Sequence, residues 1–429
     1  MGIASNEGVG SIARVSVTLL FGLVFALPAL GDADVLPVKI ECDTGGMARV
    51  HEPVSVELRF GKDVPESARG WFADAGKAGV VLRQDGREIP AQLESLVDEN
   101  NQVCGARISW IIESAAAGKT LSYVPAIQSS ATAGATEQFV FVDKPGEHLD
   151  CFLGNRPVYR YVYLFDPGNF HDTYKPFHHV CDFEGEYFIT KGPRGMDSHH
   201  RGMYIGWNET KVGGKSYDFW SMADKSSQRH KAFVPQAASA GPVLARRAAL
   251  VDWMTPNGEA VVRDRRETVV YRQPQGRRLF DMLFLVEPLK GPTRLDGHLH
   301  HAGFHFRADN EVAYKRASSR YVLPPGVERV NDQADGPWAV GSFVMRDKRY
   351  AILHMSGPAN PNSTVYSTRD YGRFGAFFQT GIDIGAPLAL QYRVIVIPVK
   401  DVSELDQAAF VREYENYINP PVVRVSSAG

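Results

Sequence analysis

Apolar and polar residues alternate with a period of two along most of this chain, the pattern of strands with one buried face. Over residues 53–60, Val54, Val56, Leu58 and Phe60 share a side, and Asp85-Gly86 then supplies a turn before a strand over 89–93. A strand over 121–124 closes this group, and a small, polar stretch at 128–136 separates it from a second, longer region. The pattern predicts a small β-sandwich domain over residues 36–128.

The second region, residues 138–419, opens with Gln138-Phe139-Val140-Phe141-Val142 and continues with a strand over 158–165, whose Tyr159, Tyr161, Tyr163 and Phe165 fall on one face. Long strands over 261–272 and 279–289 meet at Gln273-Pro274-Gln275-Gly276. A hairpin over 338–344 and 350–355 turns around Arg346-Asp347-Lys348, and a late strand covers 388–399. One segment argues strongly for a helix: Ser403 is placed to cap it, Phe410, Tyr414 and Tyr417 form a stripe, and Pro420-Pro421 ends it. Residues 422–429 read as a tail. The expected fold class is all-β, a small N-terminal β-sandwich followed by a large domain of stacked sheets.

The start of the chain breaks the pattern. Arg14 precedes an unbroken small and apolar run over 15–30 that ends in Ala29-Leu30-Gly31, which reads as a signal peptide over residues 1–31. The expectation is an exported protein, periplasmic or extracellular, with no membrane span once the signal is removed. Lys and Arg total 47 against 49 for Asp and Glu, a balance that argues against a nucleic-acid partner. Cys42, Cys104, Cys151 and Cys181 suit one structural bridge plus buried thiols, and their spacing fits no zinc motif.

Histidine changes the picture. Ten of the 13 histidines lie between His171 and His305, in three clusters: His178-His179, Asp197-Ser198-His199-His200-Arg201-Gly202, and His298 to Arg307. An imidazole titrates near neutrality and binds metals through its neutral nitrogen, so the clusters suit either acid/base chemistry or a metal site. A divalent metal would draw on His178, His199 or His200, His301 and Asp197, without support from a metalloprotease helix or a cysteine pair. On a regular strand adjacent residues point to opposite faces, so one of each histidine pair is expected to be structural. Around these clusters lie Tyr204, Trp207, Asp218, Trp220, Arg307, Arg369, Tyr371 and Arg373. Aromatic faces beside arginines and carboxylates suit a sugar, whose C–H groups stack on rings while hydroxyls and any uronate carboxylate accept from guanidinium forks. Dinucleotide-binding glycine turns, P-loops, serine-hydrolase elbows and EF-hand loops are absent.

An ordered set of motifs runs through the second region: Arg156-Pro157-Val158, Lys175-Pro176, Asp197 to Gly202, Gly206-Trp207-Asn208, Asp218-Phe219-Trp220, Asn360-Pro361 and Tyr366 to Gly372. Over residues 138–400 the chain resembles a bacterial family labelled methane oxygenase PmoA, a domain of unknown function in secreted proteins of planctomycetes and relatives. The resemblance implies a galactose-mutarotase-like β-supersandwich and a place among carbohydrate-degrading functions. Here His178-His179 leads into Cys181 and an acidic stretch, a departure from the family's single histidine.

The expected function is a carbohydrate-active enzyme, a lyase, hydrolase or epimerase acting on polysaccharide or oligosaccharide fragments. His178, His199, His200 and Asp197 are its acid/base candidates. Arg201, Trp207, Asp218, Trp220, His301, His305, Arg307, Arg369 and Tyr371 are its substrate contacts. A carbohydrate-binding sandwich without turnover and a metal-dependent oxidase, as the family label implies, are the alternatives.

Overall fold

The computed structural model describes residues 35–128, 137–361 and 364–427, so the expected signal segment and most of the linker at 128–136 lie outside the described residues. The described chain is dominated by antiparallel strands in four sheets. No helix among the described residues is long and apolar enough to cross a membrane.

The first sheet has seven strands, in the order Arg49–Arg59, Val103–Ala115, Arg87–Val97, Val80–Gln84, Thr120–Ile127, Val38–Asp43, Val422–Ser427. Strand Thr120–Ile127 carries the sheet around its own core: residues 120–123 pair with Val38–Asp43 and residues 124–127 with Val80–Gln84. Val54, Leu58, Ile108, Trp110 and Tyr123 fill that core, as the period of two in the first strand predicts. Two elements here differ from expectation. Residues 422–427 form a strand along the full length of Val38–Asp43, where a tail was expected. The helix Arg69–Ala78 buries only Phe72 and Ala75 and contains two glycines, which leaves its periodicity too faint to see in the sequence.

The large region stacks two sheets. Nine strands run in the order Gln333–Asp335, Val365–Arg369, Arg373–Phe377, Ala302–Arg307, Met203–Trp207, Phe177–Val180, Arg156–Val162, His148–Leu153, Phe139–Lys144. Eight more run as Ser227–Ala240, Leu244–Met254, Ala260–Tyr271, Arg278–Pro288, Leu388–Val399, Lys348–Ser356, Trp338–Met345, Arg320–Val322. Their facing sides share one core in which Phe304 meets Phe284 and Tyr392 at ring distances of 5.3 and 4.9 Å, and Tyr159 meets Phe280 at 6.0 Å. The tyrosine-rich strand ends at Val162, earlier than expected, and Phe165 packs against Phe170 in the loop beyond it.

The predicted helix is Gln407–Ile418, with Phe410 and Tyr417 buried. Its cap is Asp406, which accepts from the Ala408 amide, because Asp401 and Ser403 form a separate short turn before it. Past Pro420-Pro421 the chain enters the strand Val422–Ser427. Arg49 donates to the Asn419 carbonyl (2.7 Å), placing a cation at the carbonyl end of this helix.

All four cysteines are free thiols, against the expected bridge. Cys151 and Cys181 flank the strand Arg156–Val162, which puts them two strand spacings apart, roughly 9.5 Å. That exceeds the reach of a disulfide, about 7 Å between Cα atoms. Between the strands of Cys42 and Cys104 lie three others.

The two regions are joined by buried charge. Arg393, on the eight-stranded sheet, binds Asp281 through Nε (2.7 Å) and Nη2 (2.9 Å) and reaches Glu52 of the seven-stranded sheet at 3.5 Å. Arg393→Met would leave two buried carboxylates facing each other and is expected to lower the unfolding free energy by about 3–5 kcal/mol in urea denaturation.

Candidate functional site

The nine-stranded sheet has an apolar face and a polar one, and side-chain alternation assigns each residue. Met203, Ile205, Trp207, Phe304, Phe306, Phe374 and Tyr366 belong to the core between the sheets. Their neighbours Tyr204, His305, Arg307, Arg373 and Ser367 therefore project from the opposite face. Register brings these together: Tyr204 pairs with His305, His305 with Gly375, Arg307 with Arg373, and Ser367 with Gly375. Gly375 is required here, since a Cβ would come 2.7 Å from the His305 ring.

Loops cover this polar face and enclose a packed cluster of polar and aromatic side chains, a closed chamber. Trp220 lies edge-on to His305 (4.7 Å) and tilted against Tyr204 (4.8 Å). Its backbone carbonyl accepts from Lys175 Nζ at 2.5 Å, and that ammonium sits 4.2 Å from the Tyr204 ring centre. Asp218 shapes this loop by accepting from the amides of Trp220 and Ser221. The Asp197–Gly202 segment is a turn, so His199 and His200 escape the strand rule that was expected to separate them, and their rings meet at 4.0 Å. Gly202 has a positive φ of 45° at a point where a Cβ would strike the His178 carbonyl, which allows the turn to enter the strand Met203–Trp207. His200 stacks on Tyr371 at 6.0 Å and stands 3.6 Å from the Asp197 carboxylate. His301 closes another side against Trp220 (6.4 Å). Asp197 and His298 are exposed at the rim, His199, His301 and Tyr371 are half-buried, and His200, Tyr204, Trp220, His305, Arg307 and Arg373 form the buried floor.

Four expected site residues have other roles. His178 points into the inter-sheet core, stacked on Tyr161 (4.7 Å) with Nε2 2.9 Å from the Thr268 hydroxyl. Trp207 is likewise a core residue, donating to the Phe378 carbonyl and stacked on Trp253. Arg201 gives its donors to the carbonyls of His171, Asp172 and Ser198 and lies over Tyr174, so it braces the loops. Arg369 forms an ion pair with Asp332 at 2.6 Å. With His178 on the other face, the expected metal ligands do not assemble, and among the described residues no group of three or more His, Cys, Asp and Glu is placed to hold a metal ion. Conversely, Lys175, Lys191 and Tyr204 belong to the site and were not among the expected site residues. A lone lysine in the sequence carries no signal that it will be buried.

Charge sets this chamber apart. Lys175, Lys191, Arg201, Arg307 and Arg373 are all buried, and among the described residues none of them forms an ion pair. Of the other buried arginines, Arg266 pairs with Asp264 (2.7 Å) and Arg393 with Asp281, while Arg49 gives its donors to the Thr44 and Asn419 carbonyls and to Asn416. Several donors and acceptors also lack hydrogen-bond partners: both ring nitrogens of His200, His199 Nε2, the Tyr204 hydroxyl, the Trp220 indole nitrogen, and Nε and Nη2 of Arg307. Such groups are rare in protein interiors because each costs about 1–3 kcal/mol.

Burial and the surrounding cations shift the acid/base groups together. His199 is pushed down to about 3 by burial and by Lys175, and His200 well below its ordinary value by burial and by Arg373. His305 is lowered by burial and by Arg373. Burial and Arg201 lower Lys175 strongly, and burial and Arg307 bring Lys191 to about 7. At neutral pH the chamber's buried histidines are therefore neutral.

The molecule is thus a stacked antiparallel β-sandwich with a cation-rich chamber on the outer face of its larger sheet. Residues 148–409, well over half the chain and the whole chamber, match the family of unknown function DUF6807, and the chain belongs to that family. No curated protein matches it. Among solved structures, the GalM/aldose epimerase homologue from C. elegans is similar at 6% identity and a TM-score of 0.25, over 61% of this chain and 99% of that one.

The buried histidines give a pH test of stability. His178, His179 and His354 are held down to about 3, chiefly by burial. Between about 6.5 and 3 the unfolded chain binds protons that the folded chain refuses, so stability present above 6.5 is lost as pH falls. The expected slope is about 1.4 kcal/mol per pH unit for each such histidine once the unfolded form is protonated. Urea unfolding at pH 7 and pH 5, above the carboxylate range, should show a clear loss at pH 5; equal midpoints would contradict the assignment.

Proposed function

We propose that this protein is an exported carbohydrate-active enzyme whose reaction is proton transfer at a sugar carbon, with His200 as the base. The observation that supports it is the His199–His200 pair: neutral, His200 buried and His199 half-buried, with three ring nitrogens free of partners and set among Trp220, Tyr204 and Tyr371. A base must be unprotonated at rest and basic enough to take the proton: burial supplies the first condition, and the second requires that a bound anion offset the Arg373 charge, which lowers the His200 pKa. The aromatic rings suit the C–H faces of a sugar.

Of the reaction types open to such a site, elimination or epimerisation fits better than hydrolysis. Glycoside hydrolysis ordinarily uses two carboxyl groups flanking the scissile bond. Here Asp197 lies at the rim and Asp218 is engaged in its own turn. A neutral histidine amid unpaired cations suits removal of a carbon-bound proton, because the cations stabilise the negative charge left behind.

His200→Gln should lower turnover on responsive polysaccharide fragments by about 100-fold or more while leaving affinity within about threefold. The ring has no hydrogen-bond partner to lose, so the variant is expected to fold. Wild-type protein that binds oligosaccharides but turns none over would instead make this a carbohydrate-binding sandwich.

A further inference from the structure

In four places among the described residues this protein holds a carboxylate against one particular edge of an arginine, the edge formed by Nε and Nη2. Arg160 grips Asp150 this way (2.6 and 2.8 Å), as do Arg263 with Asp252 (2.6 and 3.1 Å), Arg266 with Asp264 (2.8 and 2.7 Å) and Arg393 with Asp281 (2.7 and 2.9 Å). Two parallel N–H donors match the two oxygens of a planar carboxylate, which makes this pairing both strong and orientation-specific.

Arg307 presents the same edge with nothing on it. The residue is fully buried, and its Nη1 donates to the backbone carbonyls of Ala308 and Tyr371, which fixes the plane of the guanidinium. Nε and Nη2 are buried and unpartnered. The guanidinium lies 5.2 Å from the Tyr371 ring centre, and that same ring stacks on His200. Among the described residues no carboxylate pairs with it. Burial lowers its own pKa to about 10, which leaves it charged at neutral pH.

We infer that the Nε/Nη2 edge of Arg307 is the seat of a carboxylate on the substrate, so that the ligand is an acidic saccharide of the uronate class. The inference rests on the carbohydrate reading above and deepens it: Lys175, Lys191 and Arg373 add to the same positive field, and a uronate joins a carboxylate to a ring that the chamber's aromatics can cover. A carboxylate on Arg307 also supplies one of the counter-charges that the protein leaves open.

The test is calorimetric titration of the purified protein with oligogalacturonate, alginate and glucuronoxylan fragments, each beside its carboxyl-reduced counterpart, with sodium acetate and a sulfated galactan fragment as further probes. At least one acidic fragment is expected to bind about tenfold or more tightly than its reduced form, the factor that corresponds to about 1.4 kcal/mol. Arg307→Lys, which keeps a charge but lacks the two-donor edge, should lose that discrimination while melting like wild type. Equal binding of an acidic fragment and its reduced form would overturn the inference and leave the carbohydrate reading standing. Preference for the sulfated fragment, or no binding by any uronate at millimolar concentration, would also overturn it. Acetate binding as tightly as the oligouronates would uphold the Arg307 seat and overturn the carbohydrate reading.

Discussion

A buried basic side chain costs free energy, and the outer face of the nine-stranded sheet with its covering loops gathers five that form no ion pair among the described residues: three arginines, and two lysines that burial pushes toward the neutral form. Removing an ammonium or guanidinium from water costs several kcal/mol even after the structure relaxes around it. At Arg266 and Arg393 the fold meets that cost with carboxylates, and at Arg49 with an asparagine and backbone carbonyls that take up its donors. In the chamber it meets it only partly, with backbone carbonyls and aromatic faces. The lowered pKa values of His199, His200, His305, Lys175 and Lys191 all follow from burial combined with these unbalanced positive charges. An arrangement so unfavourable on its own is what a site for an anion looks like before the anion arrives.

The scaffold makes the arrangement tolerable. One face of the large sheet is a continuous apolar core against the eight-stranded sheet, built from residues such as Ile205, Phe304 and Phe374. That burial supplies stability which the other face can give up. Because strands alternate strictly, the residues next to those core positions, Tyr204, His305, Arg307 and Arg373, are held on rigid strands and kept in register by the sheet's hydrogen bonds. The loops then contribute the groups that touch the chamber from above: Lys175, His199, His200, Trp220, His301 and Tyr371.

Much of this was legible in the sequence and some of it was not. The period of two in residues 53–60 corresponds to a strand with alternating burial, whereas the strands read over 261–272 and 388–399 are buried on both faces along much of their length. Histidine crowding marks segments that the fold brings together, with His199, His200, His301 and His305 around Trp220. What periodicity cannot say is which face of a sheet is the polar one, and this is why His178 and Trp207, attractive by composition, turned out to line the core. The strand rule also misled at His199-His200, which lie on a turn and share one chamber. Lys175 and Lys191 were invisible because their significance is the absence of a counter-charge, a property of the three-dimensional arrangement alone. The strand Val422–Ser427 was hidden for a similar reason: six residues beyond a proline pair have no pattern until a partner strand is known.

The claim at the centre is that these cations are carried against the interest of the fold alone. Its most direct test is the urea unfolding of Lys175→Met without added ligand, since methionine keeps most of the side-chain volume and removes the buried amino group, whose pKa burial lowers strongly. If the ammonium is an uncompensated charge, the variant unfolds at a higher urea concentration than wild type. If the midpoint instead falls as it does when one partner of a buried ion pair is removed, by about 3–5 kcal/mol, the lysine is balanced within the protein and the chamber is not an anion site in waiting.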